Sequence, residues 1–289
     1  MKLGPLDDRA LGRRDQMGKI GRSFSLLGSS LGVLRRDPEL AVLMLISGAV
    51  TLAVSLAFVL GFGIIGVLEG GARDAATQIA LPGILTYIVG YTIAFYFQSA
   101  VVAGALERMG GGDPTVGSSL AAATRRIGPI VIWGVIAGTV GWLISLIQER
   151  SGLIGSIIAG VIGFAWSLAT FFMVPILVNE QLGIGGSLGR SWDLFKKTWG
   201  ETVVSGIAMG LLILLGILVL AALVIGLAAA NLVIAAVAVA VIGAVVLLVA
   251  TSMLQAIYVA ALYRYAATGE VAVGFDQAAL AGAFSAKQR

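Results

Sequence analysis

No Asp, Glu, Lys or Arg occurs between Thr202 and Tyr263. A charge inside hydrocarbon is costly, so long charge-free windows mark where a chain can cross lipid. Four other windows are also uncharged: residues 40–68, 75–106, 127–148 and 151–179. A bilayer core about 30 Å thick needs roughly 20 apolar residues in a helix. Each shorter window fits one crossing, and the 62-residue window at 202–263 fits two. Its break is expected near Asn231, the one strongly polar residue in "GLAAANLVIAA". The expected fold is an all-α integral membrane protein with six transmembrane helices.

Composition agrees. The chain is 58% hydrophobic and 12% charged, against about 25% charged in soluble domains. It has no cysteine and no histidine. Thiolate chemistry, disulfides and the commonest general base and metal ligand are therefore excluded. The first apolar run, residues 40–68, is too long for the roughly 7–15-residue core of a signal peptide, and is expected to be retained.

Basic residues set the expected orientation. Of the 19 Lys and Arg, 17 fall in the N-terminal tail, the loops after the second and fourth helices, and the C-terminal segment. Only Arg73 and Arg150 fall on the other side. Cytoplasmic loops carry the excess of Lys and Arg, so both termini are expected in the cytoplasm, with the chain in the inner membrane. Residues 1–16 read as a flexible cytoplasmic tail, 17–266 as the membrane domain, and 267–289 as a cytoplasmic C-terminal tail.

One pattern recurs. "GRSFSLLGSSLG" from Gly21, "GSSLAAATRRIG" from Gly117 and "GRSWDLFKKTWG" from Gly189 align without gaps as G-x-S-[FLW]-x6-[LIW]-G. Apolar residues recur at i, i+4, i+7 and i+11: Ile20, Phe24, Leu27, Leu31; Val116, Leu120, Ala123, Ile127; and Leu188, Trp192, Phe195, Trp199. That spacing is one face of a helix. Thr115 and Ser187 occupy expected N-cap positions. Each copy reads as a short amphipathic helix in the cytoplasmic interface, anchored by Phe24, Leu120, Trp192, Phe195 and Trp199, since tryptophan suits that depth. Two crossings follow each copy, which gives three expected repeats at 17–109, 113–183 and 186–266.

Uncharged polar residues form stripes within the spans. Tyr87, Tyr91 and Gln98 share one face of the second helix, and Thr251, Gln255 and Tyr258 one face of the sixth. They fit a polar groove between the even-numbered helices. They also fit interhelical hydrogen bonds, worth about 0.6–2 kcal/mol each in membranes. Gly-x-x-x-Gly occurs at Gly66/Gly70, Gly134/Gly138 and Gly206/Gly210 and is expected to serve internal packing. In "RRDPEL", Asp37 is placed to cap the first helix, with Pro38 and Glu39 in its first turn. Pro175 is expected to kink the fourth helix.

No ionisable residue lies inside a proposed span. Glu107, Glu180 and Glu201 stand at helix ends near basic residues, as interfacial ion pairs or caps. A non-enzymatic protein with no cofactor and no metal is expected. The basic flanks should attract anionic lipid headgroups, and nucleic-acid binding is not supported.

The run "GRSFSLLGSSLGVLRRDPELAVLMLISGA" (21–49), with "GRSWDLFKKTWGE" (189–201), resembles a family of uncharacterised prokaryotic multi-pass membrane proteins known only as a domain of unknown function. More distantly, the unit is similar to the membrane domain of glycerophosphodiester phosphodiesterases, without room for their catalytic barrel. The resemblance implies the topology and carries over no functional residues. The expected role is a membrane scaffold or accessory subunit, with protein partners in the membrane; the alternative is a transporter or lipid-handling protein using the polar groove.

Overall fold

The computed structural model describes residues 39–68, 75–150 and 152–270, with side chains at all of these except 63, 65–68, 75–82 and 199–209. Phe24, the first copy of the motif, Asp37, Pro38 and Arg73 lie outside the described residues, as does the Trp199 side chain.

The described residues form eight helices: α1 Glu39–Leu68, α2 Ala75–Met109, α3 Val116–Thr124, α4 Ile127–Arg150, α5 Gly152–Ala169, α6 Met173–Asn179, α7 Ile184–Ala229 and α8 Val233–Thr268. Six of the segments are long and apolar enough to cross a membrane, which supports a multi-pass membrane protein. The turn in the 62-residue window falls at Asn231, with φ 60°. Asn tolerates that left-handed conformation better than other side chains with a Cβ. Glu39 opens α1, where a carboxylate complements the positive helix end.

Two prolines set the internal breaks. A proline has no N–H for the carbonyl four residues back, and its ring clashes with that carbonyl. Pro129 acts on Arg125, and α3 gives way to α4 at Arg125–Arg126. Pro175 acts on Phe171, and the fourth span divides at residues 170–172 into α5 and α6. The expected kink is thus a full interruption. In the third copy Glu201 stands where the second has Pro129. There α7 runs unbroken from Ile184 to Ala229, so the third amphipathic segment is not a separate short helix. Pro82 lies within α2 without breaking it.

Among the described residues, those up to Lys196 form one compact unit and those from Lys197 belong to another. In the first, α2 is the hub and packs against α1, α3, α4 and α6. It approaches α4 along a glycine strip. A Cβ added at Gly134 would meet the Thr92 Cα at 2.8 Å, one at Gly138 the Ile88 Cα at 3.3 Å, and one at Gly141 the Tyr87 hydroxyl at 2.9 Å. Lipid tails are as apolar as leucine, so helices here associate by close packing rather than by the hydrophobic effect. The Gly134/Gly138 pair therefore serves internal packing, as expected. Gly210 meets open space.

Beside this strip, Trp133, Ala137, Met173 and Leu177 form a buried cluster flanked by Phe95, Ile136, Trp166, Ile184 and Leu188. The Trp133 and Trp166 rings stack at 5.6 Å. In the second unit, α7 and α8 interlock reciprocally. A Cβ at Gly216 would lie 2.5 Å from Leu247 Cδ1, and one at Gly243 would lie 2.3 Å from Leu220 Cδ1.

Gly134→Ala should destabilise the chain by about 1–3 kcal/mol, because its methyl meets backbone that cannot yield cheaply. Gly128→Ala, whose methyl meets open space, should be neutral or stabilising through helix propensity. Unfolding of the full chain in mixed micelles by increasing SDS measures both.

Candidate functional site

Two sets of polar contacts in the first unit lie at helix junctions, one between the end of α2 and the start of α3 and one between the end of α6 and the start of α7. After α2 the chain reverses through Gly111, whose φ of 86° favours glycine. Thr115 then caps α3. Its side chain accepts from the Ser118 N–H at 3.0 Å, and Ser118 Oγ accepts from the Thr115 N–H at 3.0 Å. This reciprocal capping box satisfies two otherwise unpaired donors, and Thr115 is the N-cap as expected. Ser118 Oγ also donates to Glu107 Oε2 at 3.1 Å, and the Tyr96 and Thr124 hydroxyls bond at 2.7 Å. These bonds hold α3 against the end of α2. The Arg108–Asp113 pair nearby, at 2.6 Å, has its Asp side chain 89% exposed, and such pairs contribute little.

The third copy is held differently at its start. Ser187 does not cap a helix. It lies within α7, fully buried, and its N–H donates to the Gly183 carbonyl at 2.8 Å. Ile184 and Leu188 pack against the Trp133–Leu177 cluster, and this packing begins the helix earlier than residue type suggests.

The motif serine is fully buried in both described copies, as Ser119 and Ser191. Ser119 Oγ sits against α2, 2.5 Å from where a Gly104 Cβ would be. Ser191 Oγ accepts from the Phe172 N–H at 3.1 Å. The interruption left that N–H without a helical acceptor, and Ser191 supplies one. The residue before the serine reaches a carboxylate ending the preceding helix: Ser118 bonds Glu107, and Arg190 pairs with Glu180 at 3.2 Å. Arg126 adds a bond from Nη2 to the Glu180 carbonyl. Apolar periodicity did not single out Ser119, Ser191 or the Glu180 cluster. The shared serine of the motif was the signal for the first two.

Leu120 is half-buried. Trp192 is 44% exposed and stacks on Phe195, which is buried, with ring centroids 5.7 Å apart. In the second copy, too, the most buried line runs through Ser119 and Ala123 rather than Leu120 and Ile127. Tyr87 and Tyr91 stack at 5.9 Å and both remain exposed, while Gln98 is half-buried. In the second unit, Thr251 Oγ1 donates to its own helix at the Leu247 carbonyl, 2.7 Å away; Gln255 is exposed and Tyr258 buried. Among the described residues no group of three or more His, Cys, Asp or Glu could hold a metal ion.

Residues 75–275 match the model of a family described as a family of unknown function (DUF6159). The chain belongs to that family. DUF6159 thus covers all but the first of the six spans. No curated protein and no solved structure matches the chain, so the resemblance to the membrane domain of glycerophosphodiester phosphodiesterases has no counterpart in these comparisons.

Ser191→Ala should cost about 1–3 kcal/mol by leaving a buried N–H unpaired. Ser119 Oγ is buried without a hydrogen-bond partner, so Ser119→Ala should be neutral or stabilising. Thermal melts of the two variants side by side check the contrast.

Proposed function

We propose that this chain is a non-enzymatic scaffold or accessory subunit of the cytoplasmic membrane. Its three tandem units, 17–109, 113–183 and 186–266, each pair an amphipathic segment with a transmembrane hairpin, and both termini face the cytoplasm. Burial of the motif serine in two copies, each beside a bond back to the preceding helix end, supports the repeat. The basic face would meet anionic headgroups, and the lipid-facing spans would offer contact to protein partners.

The observation that carries the scaffold reading is the use of intramembrane polar groups for packing. The Thr92 hydroxyl bonds the Ile88 carbonyl at 2.8 Å, Thr139 bonds Val135 at 2.7 Å, and Tyr87 lies over Gly141. Hydroxyls tied to their own helices have little left for a solute. The alternative, a transporter or lipid-handling protein, draws on Gln255, which stays exposed within α8.

A photoreactive residue at Trp192, activated in cells, should give a protein adduct of discrete mass that Gln98→Leu with Gln255→Leu does not diminish. Adducts to lipid alone would contradict the scaffold role. Loss of solute or lipid binding in that folded double variant would favour the alternative.

A further inference from the structure

Two guanidinium groups meet on one residue at the end of α6. Arg126, in the turn between α3 and α4, donates from Nη2 to the Glu180 carbonyl. Arg190, in the opening turns of α7, donates from Nε to Glu180 Oε1 at 3.2 Å. Neither is deeply buried, and the Arg190 side chain is 33% exposed. Arg125, next in the same turn, is exposed. Arg126 and Arg190 thus meet on Glu180, one at its carbonyl and one at its carboxylate, so two positive charges face one negative. Arginine presents several N–H donors in a rigid fork that matches phosphate oxygens two at a time. With Nε on Glu180, the two Nη groups of Arg190 remain for such a contact.

An apolar group flanks the cluster. Ile127, directly after Arg126, is 47% exposed. A free phosphate has no use for this side chain. A phospholipid matches both features, with phosphate on the guanidinium groups and an acyl chain along the isoleucine. We infer that Arg126 and Arg190 form a site for the phosphate of an anionic phospholipid. The ligand would join the α3–α4 turn to the start of α7, two elements already tied through Glu180. The inference rests on the membrane reading of the fold and not on the scaffold role.

The test is native mass spectrometry of the full chain in a zwitterionic detergent, titrated with dioleoyl phosphatidylglycerol or dioleoyl phosphatidylcholine. Phosphatidylglycerol should bind roughly tenfold more tightly, the scale of one or two charge-assisted hydrogen bonds. Arg126→Gln and Arg190→Gln should each erase that preference, while Arg125→Gln should keep most of it. Glu180→Gln retains the carbonyl acceptor, removes the competing charge, and should strengthen phosphatidylglycerol binding severalfold; it decides the matter if the arginine variants fail to fold. Equal binding of the two lipids, an unchanged preference in folded Arg126→Gln and Arg190→Gln, or unchanged affinity in Glu180→Gln would overturn the proposal. So would displacement of the lipid by millimolar inorganic phosphate, which would make the site one for the free ion.

Discussion

A peptide N–H carried into hydrocarbon must find its acceptor within the protein, since no water is there to serve. Continuous helices meet this demand by themselves, and most of the chain takes that course. The interruption ahead of Pro175 does not. It frees the Phe172 N–H in a buried place, and the acceptor arrives from a different helix, as Ser191 Oγ. That single bond ties the divided fourth span to the opening of α7. Around it lie the contacts of Ile184 and Leu188 with the aromatic cluster and the Arg190–Glu180 pair. The opening of α7 is thus part of the bundle.

Close approach supplies the rest. Without a hydrophobic force between helices in lipid, dispersion over tightly fitted backbones must hold them. Gly134, Gly138 and Gly141 make one side of α4 nearly bare, and α2 lies along it with Thr92, Ile88 and Tyr87. Gly216 and Gly243 accept leucines from opposite helices of the α7–α8 pair. In both units the glycines stand where a methyl group would collide, and others, such as Gly160 and Gly226, stand in open space.

The spans and the Asn231 turn were legible in the sequence because their causes are local. Charge desolvation and helix length act on contiguous residues, and Asn marks its turn by type. The start of α7 was not legible, because packing of Ile184 and Leu188 against residues of α4 and α6 overrides the capping tendency of Ser187. The division of labour between Trp192 and Phe195 was hidden as well. Both fall on one broad apolar stripe, and only the neighbours decide which ring is covered. The Glu180 cluster was least visible, since Arg126 reaches it across 54 residues. Pro129 against Glu201 shows the reverse case, where one residue explains why two aligned segments end differently.

Six crossings with a single basic face are the premise beneath every functional statement made of this chain. Because the sequence has no cysteine, one introduced thiol reports its own position. Arg125→Cys and Arg150→Cys flank α4, and a membrane-impermeant maleimide applied to intact spheroplasts tells them apart. Labelling of the residue 150 thiol at once, and of the residue 125 thiol only after permeabilisation, is the expected result. Labelling of both from the same side, or in the opposite order, would contradict it.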